Sequence, residues 1–134
     1  MADVHIWPLR VYYEDTDAGG IVYYANYLKF VERARTELLR ERGIDHQHLL
    51  ADAGLVLAVR DCAIEYFIPA RLDDAIDVHT RVCGISAATI RIEQTVLRGD
   101  EVLASARLRI VCLRQDGRPA RLPVAVRDAV TAFH

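Results

Sequence analysis

Apolar and polar residues alternate through the second half of the chain. Ile76, Val78, Thr80 and Val82 share one side of a run from Ile76 to Cys83, and Ile90, Ile92 and Val96 repeat the period from Ala88 to Leu97. A period of two predicts strands with one buried face. Leu55 to Ile68 is a longer run ending at Pro69. Val102 to Leu113 is another, entered through a turn at Arg98-Gly99-Asp100-Glu101 and left through a second at Gln115-Asp116-Gly117-Arg118-Pro119. Short polar breaks containing glycine and aspartate are hairpin signals. Val4 to Tyr13 reads as a further strand, and its Pro8, with no N–H to give a ladder, predicts an edge or a bulge.

The period becomes helical in one long segment, Asn26 to Arg42. Tyr27, Val31, Ala34 and Leu38 form its stripe, Asn26 is the expected cap and Gly43 the terminator. At 1.5 Å per residue it should span about 25 Å. A short terminal helix is expected after Pro123, carrying Val126, Val130 and Phe133. His46 and His48 fall in what reads as a polar connection. One long helix with about five strands predicts an α+β fold in which an antiparallel sheet curls around the helix. The 134 residues make one domain, 1–134.

For a wrapped helix this one is polar: Glu32, Arg33, Arg35, Glu37, Arg40 and Glu41 must face solvent or a subunit boundary. Arg33 and Glu37 are spaced to neutralise each other. A formal net charge of −2 argues against a general nucleic-acid binder. The basic residues are nevertheless sixteen arginines against the single Lys29, so a phosphorylated ligand remains compatible, although a composition bias explains that excess equally well. The residues up to Arg10 hold no signal-peptide run, and no stretch approaches the roughly 20 apolar residues of a membrane span. The expected location is the cytosol, with peripheral attachment to the inner membrane compatible. Cys62, Cys83 and Cys112 lie in strand-like runs and are expected to be reduced core residues. The five histidines show no metal-ligand spacing, and no metal is expected.

The candidate chemistry lies in EDTDAGGIVYYANYLKFVERARTE, from Glu14 to Glu37. Gly19 and Gly20 allow a sharp turn and close backbone approach. The helix beginning near Tyr24 to Asn26 has unpartnered N–H groups at the positive end of its dipole, suited to an oxygen gaining negative charge. Asp17, a few residues upstream, can reach the same volume, which is the arrangement acyl transfer needs. The plain alternative is that these acids cap and solvate a turn. A calcium loop fits poorly, since counting from Asp15 puts Gly19 at a ligand position and Asn26 where a bidentate Glu is required. No Gly-Lys-Ser/Thr follows the glycines, so this is no phosphate loop.

RVYYEDTDAGGIVYYANYLKFVERARTE resembles the signature of the hotdog-fold acyl-CoA thioesterases, specifically the Tol-Pal-associated acyl-CoA thioesterases and more distantly the 4-hydroxybenzoyl-CoA thioesterases. Glu65-Tyr66 and Pro69-Ala70-Arg71-Leu72-Asp73-Asp74 continue the match, which covers nearly the whole chain. The resemblance implies a hotdog fold and hydrolysis of a thioester. Asp17 would be base or nucleophile and the Tyr24 backbone N–H the oxyanion donor, with Gly20 beside them. Partial desolvation, or repulsion from Asp15, would make Asp17 a better base. Glu32 is a further candidate, because the 4-hydroxybenzoyl relatives carry an acid at the matching place; an ordinary ion pair is its alternative.

Coenzyme A would enter as part of the substrate, with no separate cofactor. Acyl-CoA, aliphatic or aromatic, and an acyl carrier protein thioester are all admissible. Many Tol-Pal-associated members carry histidine where this chain has Tyr24, which removes any His-assisted step from the expectation. The resemblance also implies a homodimer joined edge to edge through its sheets, and often a tetramer of such dimers. A non-catalytic acyl-CoA or acyl-carrier-protein binder in envelope or phospholipid metabolism is the alternative function. A hydratase ranks last, because the central helix has no histidine.

Overall fold

The computed structural model describes residues 3–134. Five strands, β1 (His5–Arg10), β2 (Leu55–Tyr66), β3 (Ala75–Ile85), β4 (Thr89–Arg98) and β5 (Glu101–Arg114), form one antiparallel sheet in the order β1-β3-β4-β5-β2. β3, β4 and β5 follow one another as hairpins, which puts the shorter and the longer of the remaining strands at opposite edges. Pro8 sits on edge strand β1, paired with Asp77, where a missing N–H costs least. The strand ends earlier than its apolar run suggests: after Arg10 the chain leaves the edge and makes a 3₁₀ turn at Tyr13–Asp15.

The first helix, α1 (Asn26–Arg40), lies on the inner face of the sheet. Its fifteen residues span about 22 Å. Tyr27, Phe30, Val31, Ala34, Leu38 and Leu39 are buried, a stripe at spacings of three and four. Glu37 pairs with Arg40 at 3.4 Å rather than with Arg33. Inward-facing Gln94 interrupts the apolar row of β4 and is fully buried. It donates to the Val31 carbonyl (2.8 Å) and Thr80 Oγ1 (3.0 Å) and accepts from Arg35 Nη1 (2.9 Å), so its polar groups are paired inside the core.

A second helix, α2 (His46–Ala53), replaces the expected polar connection. Asp45 caps it by accepting from the His48 N–H at 2.8 Å, and Gly54 closes it at φ +67°. None of its residues is buried, so it leaves no apolar stripe in the sequence. The last helix, α3 (Val124–Thr131), follows Pro123 and buries Val126 and Val130, with Phe133 just beyond. Of the cysteines, Cys112 is buried, Cys83 half-buried and Cys62 exposed on edge strand β2; only the first is a core residue. Among the described residues no helix is long and apolar enough to cross a membrane.

β2 carries one extra residue, Arg60, between Val59 and Asp61. The bulge switches which residues point inward. Before it Leu57 and Val59 face the helix side; after it Ile64 packs on the core and Tyr66 meets Tyr27, while Asp61 turns outward to Arg109 (3.3 Å).

Candidate active site

Three acids in four residues take three different roles. Asp15 is buried, and its carboxylate accepts from the Tyr12 N–H at 2.8 Å, locking the 3₁₀ turn. It is therefore occupied as a backbone clamp. Glu14 is exposed. Asp17 is exposed at the tip of a closed loop, in which its N–H donates to Ile21 O (2.9 Å) and Gly20 N–H donates to Asp17 O (3.1 Å). The loop base is an isolated bridge between Thr16 and Val22.

The Asp17 side chain is held by the Gly19 N–H, which donates to Oδ1 at 2.8 Å. This Asx turn explains one glycine, because a Cβ on Gly19 would come within 3.2 Å of that oxygen. Gly20 adopts φ +77°, a conformation costly for other residues, and the space its Cβ would take is open.

The loop leads directly into the first turn of α1. Tyr23 N–H donates to Asp15 O (3.0 Å), Asn26 N–H to Tyr23 O (2.8 Å), Tyr27 N–H to Tyr24 O (3.4 Å) and Leu28 N–H to Ala25 O (3.2 Å). Two amides, those of Tyr24 and Ala25, donate to no group among the described residues. They are the orphan donors at the positive end of the helix. Asn26 was expected to cap this end. Its side chain instead donates to Asp15 O at 2.9 Å, and the N-cap is Ala25, which has no side chain able to cover an amide.

The segment from Pro69 to Asp74 docks against this loop. Val22 N–H donates to Ala70 O (2.9 Å), Ile21 bridges Arg71, and Val11 exchanges bonds with residues 73 and 74. Asp74 fixes the turn by accepting from Arg71 N–H (2.8 Å) and from Arg98 Nη1 (2.7 Å). Burial alone would raise the Asp74 carboxyl, but the Arg71 N–H and the Arg98 guanidinium outweigh it and hold it below the usual carboxylate range. A depressed folded value stabilises above the unfolded pKa of about 3.9, and that stability is lost as pH falls through the folded value. Asp74→Asn should cost on the order of 1–2 kcal/mol at pH 7 and flatten this acid limb. Urea unfolding between pH 7 and pH 3 reads both effects.

Tyrosines wall the helix end. Tyr66, the last residue of β2, donates its hydroxyl to Tyr24 O at 3.0 Å and packs edge-on to Tyr24 (6.2 Å) and Tyr27 (5.3 Å). Tyr27 accepts from Ala70 N–H at 2.9 Å. Burial raises both the Tyr27 and the Tyr66 phenols, which keeps them protonated at neutral pH. These contacts join residues about forty positions apart and have no local signal in the sequence.

Asp17, Gly20 and Tyr24 thus belong to one continuous bonded segment. Glu32 lies about 9 Å further along the α1 axis than Asn26. It is exposed, accepts from Thr36 Oγ1 (3.0 Å) and lines a cavity with about 80 Å³ of space open to water. That cavity also takes Arg35, Thr36 and His46, is otherwise aliphatic, and receives no residue from the Asp17 loop. No cluster of three His, Cys, Asp or Glu able to hold a metal ion occurs among the described residues.

A long helix cradled by a curled five-stranded antiparallel sheet is the hotdog fold. Residues 11–130 match the thioesterase-like superfamily. The acyl-CoA thioesterase YbgC of Haemophilus influenzae is 43% identical over 129 residues, covering 96% of this chain and 93% of that protein. The acyl-CoA thioester hydrolase YbgC of Escherichia coli O6:H1 is 39% identical over 122 residues, 90% of each. A crystal structure of a probable thioesterase from Bartonella henselae superposes with a TM-score of 0.87 at 36% identity, covering 90% of this chain and all of that one. The chain belongs to the thioesterase-like superfamily, and it is a thioester hydrolase.

Proposed function

We propose that the chain hydrolyses acyl-CoA thioesters to a free acid and coenzyme A, with Asp17 as base or nucleophile and the Tyr24 N–H as oxyanion donor. The observation that carries this reading is the single closed segment that presents an exposed carboxylate and, seven residues later, an undonated amide at a helix head. The resemblance to the proteins named acyl-CoA thioesterases supports the substrate class.

Water activated by Asp17 adds to the thioester carbonyl carbon, or the carboxylate adds itself. The carbonyl electron pair moves onto oxygen, where the Tyr24 amide meets it. Collapse breaks the C–S bond and the thiolate leaves. On the water route it takes the proton that Asp17 drew from the water, and on the other route a proton of the water that later cuts the anhydride. On the second route the mixed anhydride is then cut by water, which restores Asp17. Gly20, with open space in place of a side chain, leaves room for the thioester. Coenzyme A is the leaving group and no other cofactor enters.

The assembly that suits this site is a homodimer joined through β2, a twelve-residue edge strand with exposed Val56 and Val59. The decisive assay is thiol release from straight-chain, branched and aromatic acyl-CoAs and from acyl carrier protein thioesters. Release from at least one is expected. Tight binding with no free thiol from any of them would instead make the chain an acyl-CoA binding partner.

A further inference from the structure

We infer that Tyr66 is a positioning residue for the oxyanion end of α1, acting through the Tyr24 carbonyl. Its kinetic consequence rests on the thioester reading above; its structural consequence does not.

In a trans peptide the C=O and N–H point in opposite directions, so holding the carbonyl fixes the amide. The Tyr24 carbonyl shares its peptide with the Ala25 N–H, and the preceding Tyr23 carbonyl shares its own with the Tyr24 N–H. Tyr23 O is held by Asn26 N–H at 2.8 Å, an ordinary bond within the turn. Tyr24 O has only a long intrahelical donor, Tyr27 N–H at 3.4 Å, and the 3.0 Å bond from the Tyr66 hydroxyl is the shorter restraint. No other hydrogen bond among the described residues reaches this peptide, and the N-cap Ala25 makes no side-chain cap bond.

Tyr66 is itself well anchored. Its ring packs on Tyr27, whose hydroxyl is tied to Ala70, and the next two residues both donate to Leu103 O, Phe67 at 2.8 Å and Ile68 at 3.2 Å. The chain of contacts runs from β5 through the end of edge strand β2 to the Tyr24–Ala25 peptide that leads into α1. Burial raises the Tyr66 phenol, with Cys62, Tyr24 and Tyr27 adding to it, so the donor keeps its proton across the working pH range. Through the Tyr24 carbonyl Tyr66 orients the Ala25 amide, the orphan donor next to that of Tyr24, and it acts on the thioester only through this second donor at the helix head.

Tyr66→Phe keeps the ring and removes one hydroxyl. Expected results are a fall in kcat of roughly fivefold to tenfold, the worth of one neutral hydrogen bond, with KM unmoved. In ¹⁵N–¹H spectra the Ala25 and Tyr24 amide peaks should shift and exchange faster with solvent, while peaks of β3 and β4 stay in place. Unmoved Ala25 and Tyr24 peaks would overturn the inference, and so would a raised KM at constant kcat, which would make Tyr66 a substrate-binding residue. Should the wild-type protein cleave no thioester, the amide spectra still decide the point.

Discussion

Asp17→Asn should lower kcat for thioester cleavage by about 10²- to 10⁴-fold, the usual contribution of a positioned general base, while acyl-CoA affinity changes little. The substitution is a clean one for a local reason. Asp17 Oδ1 accepts from the Gly19 N–H, and an asparagine carbonyl oxygen can accept the same bond, so the loop and Gly20 at φ +77° have no cause to rearrange. Only the charge and the basicity go. Thiol release with saturating substrate, together with calorimetric binding of a non-hydrolysable thioether analogue, separates chemistry from affinity. Equal loss of both would mean that the carboxylate binds rather than reacts, and full activity would remove Asp17 from the mechanism.

Gln94→Leu should destabilise the fold by about 3 kcal/mol, although leucine has nearly the same volume. Three partners lose their bond at once: the Val31 carbonyl, the Thr80 hydroxyl and the Arg35 guanidinium. Of these Arg35 matters most. Burial lowers it from its ordinary value, with Glu32 pulling the other way, so its charge is already partly desolvated and Gln94 is the group accepting from it. Breaking one side of a buried polar cluster costs more than replacing the whole of it. Gln94→Leu combined with Arg35→Met should therefore recover part of the loss. Denaturant midpoints for the two single variants and the double variant give the coupling; strictly additive losses would show that the two side chains are not energetically linked.

The sheet and α1 were legible because each element buries one face. Val78, Val82, Ile90, Ile92 and Val96 keep the period of two, and Tyr27, Val31, Ala34 and Leu38 keep that of a helix, all of them buried. α2 escaped because none of its residues is fully buried: only Leu49 packs partly on the core, so no stripe marks the helix in the sequence. Cys62 was misplaced because an apolar run does not tell an edge strand from a central one. Only Pro8 gave that information, and it did so for β1.

Asn26 misled for a different reason. Its residue type fits a cap, yet once the loop folds back the Asp15 carbonyl offers a partner eleven positions away. The same fold-back divides the acids, turning Asp15 into a clamp on Tyr12 and leaving Asp17 outside. The pairing of Arg33 with Glu37 failed because Arg40 competes from the next turn. Tyr66 on Tyr24 depends wholly on how β2 returns past the helix head, which no spacing within either segment encodes.

The claim beneath all of this is that Asp17 and the first free amide of α1 converge on one carbonyl group. A crystal structure with a ketone analogue of acyl-CoA, the sulfur replaced by methylene, tests it most directly. The expected complex has the ketone oxygen within about 3 Å of the Tyr24 amide nitrogen and its carbon about 3–3.5 Å from an Asp17 oxygen or from a water that Asp17 holds. A ketone seated elsewhere, with the Tyr24 amide bonded only to solvent, would contradict the account.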